Sequence, residues 1–245
     1  MDIMYILGKG SKHNNFELRH ALRSIEQNLQ GIDRVFVIGD DPGFLSDKVV
    51  FVPCPDPYKQ KHKNMLYKIQ YCTEHTDISD MFIVSSDDIF VMERMECSSI
   101  PCYHQGKLPE SLDSNMDEES YEYNLYFTRS YLENRKLPTY RFAIHALHVV
   151  DKNIIKKNKE LIDESYNARL GVEPFCLINN MMLAANPRLN IKPLVDGKII
   201  YAAGHDDFCM KTRRIPFFSC NDFALENGGQ KVIYEYWPKK CKWER

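Results

Sequence analysis

The sequence predicts an α/β protein with a mostly parallel β-sheet flanked by helices and an elaborated C-terminal half. In its N-terminal part, short continuous apolar runs alternate with segments whose apolar residues recur at helical spacing. Strands covered by helices on both faces need such continuous runs, because neither face of the strand meets water. The 245 residues are also 44% hydrophobic, which is enough for a substantial core.

Each element of the N-terminal part has its own signal. A first helix is predicted over 16–29, whose apolar residues share one face and whose start Asn14 or Asn15 can cap. A second helix is predicted over 59–75, where apolar residues form a similar stripe. The strands are predicted at four apolar runs, "DIMYIL", "RVFVIGDD", "VVFVP" and "MFIVSSDD".

The pattern changes after Asp88. Residues 97–116 are rich in Ser, Pro and Cys and predict a long loop, a feature that favours a functional lid in a compact domain. No repeat, low-complexity segment or linker is evident, so residues 1–245 are interpreted as a single domain. The remaining predicted elements are helices over 117–134, 151–164 and 174–185, a strand-rich stretch over 191–203 and a last helix over 229–236.

Composition excludes several classes of function. Lys and Arg number 32 against 34 Asp and Glu, so the net charge of -2 gives no global field for nucleic acid. The start "MDIMYILGKG" has no basic leader and only a short apolar run, so we expect no signal peptide, no membrane span and a cytoplasmic location. The eight cysteines are then expected to be reduced thiols, and they lack the paired spacing of structural zinc sites.

Two adjacent carboxylates, Asp87 and Asp88, separate the apolar halves of "FIVSSDDIFV". Because Asp favours turns, a plain turn is one interpretation. The alternative is that carboxylates at the carboxyl end of a strand stand in the ligand crevice and hold Mg²⁺ or Mn²⁺ against a phosphate. His205, in "AAGHDDF", is a candidate to complete such a metal shell or to act as a base, and equally fits a surface turn.

Other candidates have both a functional and a structural interpretation. Gly8 and Lys9, in "LGKGS" after the first strand, can let the backbone approach a nucleotide, although this glycine pattern is weak. Arg19 and Arg23 are four residues apart on the first helix, which suits a diphosphate or a solvated helix face. The basic stretch "YKQKHK" is interpreted as a solvated helix start or as a phosphate contact. His145, in "RFAIHALHVVDKNII", is a core histidine or a general base.

Several of these segments, in this order, resemble the Stealth family of sugar-1-phosphate transferases, whose core is similar to glycosyltransferases of the GT-A type. The stretch "NNFELRHALRSIEQNLQGIDRVFVIGDDPGFL" with "FIVSSDDIFV" resembles the family's second block, "IHALHVVDKNII" its third, and "SCNDFAL" with "YWPKKCKWE" its fourth. This chain has Ser86 where the family has Asn and Cys241 where it has Ser. It also lacks the "LPTFNS"-like segment and has "ILGKGS" in place of the early Trp-Val-Asp-Gly motif, which leaves open whether a sugar or a sugar phosphate is transferred.

The resemblance implies a GT-A-like, Rossmann-like fold with a nucleotide-binding half over 1–93 and an acceptor-side half over 94–245. It implies a transferase that depends on a nucleotide sugar, with a UDP-sugar favoured, and on a divalent metal ion. The enzyme would move a sugar or sugar-1-phosphate to an acceptor hydroxyl, on a glycan, as in polysaccharide biosynthesis. A non-catalytic carbohydrate-binding or assembly module of the same fold is the alternative. A metal-dependent phosphoesterase is disfavoured, because Gly8 and Lys9 stand where the common types have a nucleophilic Asp.

The resemblance also implies roles for individual residues, and the candidates found above complete the expected sets. The resemblance itself implies Asp87 and Asp88 for metal and diphosphate, Arg19 and Arg23 near the donor, and His145 and Asp222 near the reacting groups. The expected sets are therefore His145, Asp222 and Asp87 for catalysis, Gly8, Lys9, Arg19, Arg23 and Asp87 for donor binding, and Asp88, Asp87 and His205 for Mn²⁺ or Mg²⁺.

Overall fold

The computed structural model describes residues 1–9, 11–112 and 117–245. Its strands are β1 (Asp2–Leu7), β2 (Leu29–Gln30), β3 (Val35–Gly39), β4 (Val49–Pro53), β5 (Met81–Ser86), β6 (Phe90–Val91), β7 (Met95–Glu96), β8 (Cys102–His104), β9 (His148–Asp151), β10 (Ile191–Pro193), β11 (Lys198–Ile199) and β12 (Phe217–Cys220). Its helices are α1 (Phe16–Asn28), α2 (Lys61–His75), α3 (Tyr121–Glu133), α4 (Lys152–Lys157), α5 (Lys159–Ser165), α6 (Pro174–Ala185), α7 (His205–Thr212), α8 (Asp222–Ala224) and α9 (Gln230–Tyr236).

Five strands form the central sheet in the order β4-β3-β1-β5-β9. The first four are parallel, and β9 runs antiparallel to β5. Tyr5, in the middle of β1, pairs with Val37 on one side and Ser85 on the other. Every residue of β1 and β3 is buried, as their continuous apolar composition requires, and α2 packs against both strands. The sequence prediction of a mostly parallel sheet flanked by helices is therefore confirmed.

A small second sheet brings C-terminal residues to the end of β5. Its strand order is β11-β12-β6, with β12 antiparallel to β6 and parallel to β11. Phe218 of β12 lies opposite Phe90 of β6, and their rings stack with centroids 4.7 Å apart. Because β6 begins two residues after Asp88, this pairing places Ser219 beside the acidic pair.

The predicted elements of the N-terminal part match the structure closely. The four apolar runs contain β1, β3, β4 and β5. In the C-terminal half, α6 has the predicted bounds. The helix predicted over 151–164 is instead two helices, because the backbone of Asn158 leaves the helical region (φ -108, ψ 28) between α4 and α5. No helix among the described residues is long and apolar enough to cross a bilayer.

The segment predicted as a loop or lid has more structure than its composition indicates. Over 97–112 the chain contains a 3₁₀ turn (Cys97–Ser99) and β8, which pairs in parallel with β10. Several of its side chains are buried in the core, namely Cys97, Ile100, Cys102 and Leu108. Most of 97–112 is irregular chain, as predicted, but its cysteines and aliphatic residues pack into the core, and 113–116 lie outside the described residues.

Candidate active site

The strand order of the central sheet reverses beside β1. β3 and β4 lie on one side of β1 and β5 lies on the other, so the connections lead away in opposite directions and leave a crevice at the carboxyl ends of β1 and β5. Gly8 directly follows β1, while Asp87 and Asp88 directly follow β5. These residues therefore stand where open α/β sheets bind their ligands.

A cavity of about 370 Å³, the lysine cavity, opens at this crevice. Lys9, Lys59 and Lys61 line it, and no ion pair of these three side chains is present within the described residues. Free ammonium groups around a cavity favour an anionic ligand. The lining also includes Gly8 and the polar residues Asp56, Asn64, Lys68, Ser86 and Asp87.

Lys68 has a structural role in this wall. Its Nζ donates a 2.7 Å hydrogen bond to the carbonyl oxygen of Leu7 and lies 2.6 Å from a carboxylate oxygen of Asp56. The side chain is only 3% exposed, so this lysine ties α2 to the end of β1 instead of facing a ligand. The basic stretch "YKQKHK" was predicted as a helix start, and α2 does begin within it at Lys61. Two lysines of this stretch, Lys59 and Lys61, line the cavity.

A second cavity, of about 350 Å³, lies next to the first and is termed the histidine cavity. The two cavities share Lys61, Met65 and Ser86, and each receives one of the two adjacent aspartates, Asp87 in the lysine cavity and Asp88 in the histidine cavity. The histidine cavity is also lined by His62, Tyr121, His145, His148, Glu173 and Lys198. A ligand that spans both cavities would pass over the acidic pair.

Asp87 and Asp88 differ sharply in their surroundings. Burial, together with the negative charges of Asp88 and Glu17, raises the pKa of Asp87 to about 7. Burial alone would also raise the pKa of Asp88, but the ammonium of Lys198 and a hydrogen bond from Ser219 lower it. The Nζ of Lys198 lies 3.0 Å from Oδ2 of Asp88 and 2.8 Å from Oγ of Ser219. Among the described residues Asp88 is therefore in direct contact with a cation, whereas Asp87 forms no ion pair and the charge of Lys61 offsets the rise of its pKa only in part.

His145 forms a pair with Asp196. Its Nδ1 lies 3.0 Å from both carboxylate oxygens of Asp196, and its side chain is 39% exposed. The segment that holds it is the irregular stretch between α3 and β9, where neighbouring apolar residues such as Phe142 and Leu147 are buried. His145 is thus held by Asp196 at Nδ1 while its side chain lines the histidine cavity. This geometry suits a general base.

A third group of possible ligand atoms combines Asp222 with two residues that the sequence did not single out, His13 and Glu17. Glu17 at the start of α1, His13 and Asp222 each place one ligand atom within 4.8 Å of the others. Asp222 also forms a 2.8 Å ion pair with Lys12, and that hydrogen bond lowers its pKa. Carboxylate oxygens with an imidazole nitrogen are a donor set that Mn²⁺ accepts.

The two arginines of α1 are engaged elsewhere. The guanidinium of Arg23 binds Glu244 through two hydrogen bonds of 2.6 and 2.9 Å, and its side chain is 9% exposed. Arg19 stacks over the ring of Phe44 and lies 3.5 Å from the same glutamate. Neither arginine lines a cavity beside Asp87 or Asp88 in the described part of the chain, so this geometry does not support their predicted contact with a donor.

His205 likewise lies apart from the acidic pair. At the start of α7 its two ring nitrogens contact Asp206 (2.9 Å) and Glu235 (2.7 Å), and these hydrogen bonds raise its pKa. Within the described residues it lines neither the lysine cavity nor the histidine cavity. Its predicted place in a metal shell therefore has no geometric support.

Sequence reasoning missed several residues of this region, among them His13, Glu17, Asp196 and Lys198. Glu17 lies two residues before Arg19 in "FELRH". The interpretation of this motif rests on the positive charge of the arginines and leaves the carboxylate out. Asp196 and Lys198 flank a glycine in "VDGKII", a pattern that indicates a turn and no particular chemistry. Only the pairing of β11 with β12 shows that this turn faces the site.

Comparisons with known proteins identify the fold. No protein-family model matches the sequence, and no curated protein matches it. Among solved structures, the chain is similar to the galactosyltransferase LgtC, whose crystal structure contains donor and acceptor sugar analogues. The TM-score is 0.52 at 9% sequence identity, over 99% of this chain and 97% of LgtC. The chain therefore has the fold of a GT-A glycosyltransferase.

Proposed function

We propose that the protein is a transferase that moves a sugar or a sugar-1-phosphate from a nucleotide sugar to an acceptor hydroxyl. The observation that carries this proposal is the meeting of two cavities at Asp87 and Asp88, one rich in free lysines and the other containing His145 with Asp196. The GT-A fold supports it, since LgtC is a galactosyltransferase with the same fold. The resemblance to the Stealth family supports it further.

The lysine cavity is the proposed donor site. A nucleotide sugar carries its negative charge on a diphosphate, and Lys9, Lys59 and Lys61 offer three ammonium groups without internal ion pairs among the described residues. Gly8 brings backbone to the same wall. The diphosphate then lies beside Asp87, with the transferred group directed toward the histidine cavity. A UDP-sugar is the favoured donor by resemblance.

The residues at this crevice fit a divalent cation, Mn²⁺ or Mg²⁺. Asp87 carries a carboxylate that forms no ion pair among the described residues; burial and the charges of Asp88 and Glu17 raise its pKa, although the charge of Lys61 acts in the opposite direction. Glu17, whose charge acts on Asp87, forms a separate group of possible ligand atoms with Asp222 and His13, and within the described residues these three line neither cavity. When bound, the cation would neutralise charge that develops on the leaving phosphate. Asp87 is its first proposed ligand, and Asp88 can join only when Lys198 releases it.

The histidine cavity is the proposed acceptor site. His145 can accept the proton of an acceptor hydroxyl while that oxygen attacks the donor. In glycosyl transfer the attacked atom is the anomeric carbon and a nucleoside diphosphate leaves. In phosphosugar transfer the attacked atom is the phosphorus that bears the sugar, and a nucleoside monophosphate leaves. Lys198 lines this cavity and would stabilise negative charge there once it releases Asp88, and by resemblance Asp222 is a further candidate near the reacting groups.

A product assay tests the proposed function. The chain is incubated with Mn²⁺, a panel of UDP-sugars and glycan acceptors, and released UDP and UMP are separated by chromatography. Accumulation of UDP indicates glycosyl transfer and accumulation of UMP indicates transfer of a sugar phosphate. His145→Gln is expected to lower turnover roughly 10²- to 10⁴-fold with donor affinity retained. Donor binding without release of either nucleotide would contradict the proposal and favour the non-catalytic carbohydrate-binding or assembly module.

A further inference from the structure

Asp196 is held in place independently of the imidazole it contacts. Its Oδ1 accepts the backbone N–H of His145 at 3.3 Å and the backbone N–H of Lys198 at 3.2 Å. Both of its carboxylate oxygens lie 3.0 Å from Nδ1 of His145. The carboxylate is therefore oriented by the main chain on both sides, and it presents a fixed acceptor to the ring.

We propose that Asp196 is a positioning residue that fixes His145 as the tautomer with a proton on Nδ1 and directs a bare Nε2 into the histidine cavity. This inference rests on the proposed function, in which His145 is the general base. It assigns a role to a residue that no sequence pattern selects.

The chemistry of the pair leaves one arrangement of protons. Burial alone would raise the pKa of Asp196, but the hydrogen bond and charge of His145 lower it, so the carboxylate is ionised at neutral pH. An ionised carboxylate only accepts hydrogen bonds, so Nδ1 must be the donor. In the neutral ring Nε2 then carries the lone pair. Within the described residues no hydrogen bond to Nε2 is present, which leaves that atom available to a ligand.

The proton balance of the step follows from this arrangement. The acceptor O–H bond breaks, its proton moves to Nε2, and the oxygen forms the new bond to the donor as the nucleotide leaves with the electrons of the broken bond. The resulting imidazolium keeps its Nδ1–H bond to Asp196, which stays ionised and stabilises the positive ring. After product release the proton passes from Nε2 to solvent.

The turn that contains Asp196 also connects this base to the acidic pair. Lys198, two residues on, bonds Asp88 at 3.0 Å, so one short turn touches both His145 and Asp88. Gly197 between them packs so closely that a Cβ atom there would lie 2.2 Å from the carbonyl oxygen of Phe217. Only glycine allows this approach, and the position of the turn is thereby set by β12.

Nitrogen-15 NMR of histidine-labelled protein at pH 8, without ligands, tests the tautomer. In the wild type we expect His145 to show a protonated Nδ1 and a bare Nε2. Asp196→Asn should shift the population toward the other tautomer, because an amide can also donate to Nδ1. Asp196→Glu, which keeps a carboxylate, should retain Nδ1–H. The matched control is Asp163→Asn, which removes a carboxylate that accepts from Gln70 on another helix and should leave His145 unchanged.

A double-mutant cycle on turnover with Mn²⁺ and the most active UDP-sugar of the panel tests whether Asp196 acts through His145. Asp196→Asn is expected to lower kcat by up to roughly 10²- to 10⁴-fold with little change in donor KM, and to add almost nothing once His145 is Gln. An unchanged tautomer in Asp196→Asn, or additive losses in the cycle, would overturn the inference. Normal turnover in His145→Gln alone would instead refute the proposed base, a result that the tautomer measurement does not depend on.

Discussion

At the scale of single residues, Asp87 and Asp88 show how neighbours of identical chemistry acquire opposite properties. Asp88 is bonded by Lys198 and Ser219, and these contacts favour its ionised form. Asp87 faces the lysine cavity with the charges of Asp88 and Glu17 nearby, and its ionised form is disfavoured. An acidic pair in a sequence therefore does not indicate two equivalent metal ligands.

The first prediction is that Asp87→Asn stabilises the metal-free protein and that the gain grows with pH. The folded-state pKa of Asp87, about 7, lies above the value near 4 expected in an unfolded chain. The charged carboxylate therefore lowers the free energy of unfolding increasingly between about pH 4 and 7, and this loss reaches its full size above about pH 7. We expect the free energy of unfolding to rise by about 1–3 kcal/mol at pH 8, allowing for solvent screening, and by much less at pH 4. Urea unfolding at both pH values measures this.

Asp88→Asn is the matched comparison and should have the opposite sign. Its lowered pKa means that the ionised form contributes stability above about pH 4, which is lost as pH falls through the folded-state value. Removing the charge leaves the Lys198 ammonium without its partner, so we expect a loss of about 1–3 kcal/mol at pH 8. Equal changes in the free energy of unfolding for the two substitutions would show that Asp87 and Asp88 do not differ in the way their surroundings predict.

At the scale of elements, the start of α2 contributes one cation of the proposed donor site, Lys61. Lys61 lines both cavities, whereas Lys63, two residues on, lines neither and lies 5.9 Å from the ring of Tyr58. We predict that Lys61→Ala weakens binding of a UDP-sugar with Mn²⁺ about tenfold, because a charge-assisted contact to phosphate is lost, and that salt reduces the difference. Calorimetric titration at low and high ionic strength measures both effects. Lys63→Ala is the control, and an equal loss there would point to general charge and not to a specific contact.

The elements also show what the sequence can and cannot predict. β1 was predicted with its observed bounds because six consecutive buried residues leave an apolar signature that depends on no partner. The acidic pair was predicted at a strand end for the same local reason. The partnership of Asp196 with His145, 51 positions apart, has no such signature, since it depends on the pairing of β12 with β6 and β11. Arg23 was misjudged similarly, because its partner Glu244 is 221 positions away.

At the scale of the whole molecule, the C-terminal segment is attached to the first helix. Arg23 donates to both carboxylate oxygens of Glu244 and also to the carbonyl oxygen of Trp237 at 3.0 Å. The backbone of Arg245 in turn donates to the carbonyl oxygen of Phe44, beyond β3. A buried ion pair thus joins α1 to the chain that follows α9.

The last prediction concerns this ion pair. Arg23→Gln should lower the free energy of unfolding by about 3–5 kcal/mol, because it leaves the carboxylate of Glu244, whose side chain is fully buried, without a compensating charge. Arg19→Gln is the control on the same helix: its guanidinium is 32% exposed and only 3.5 Å from Glu244, so a loss below about 1 kcal/mol is expected. Urea unfolding gives both values, and titration with a UDP-sugar and Mn²⁺ on the folded variants gives donor affinity. If Arg23→Gln unfolded like the wild type but no longer bound the donor, the ion pair would not be structural and the predicted donor contact would be restored.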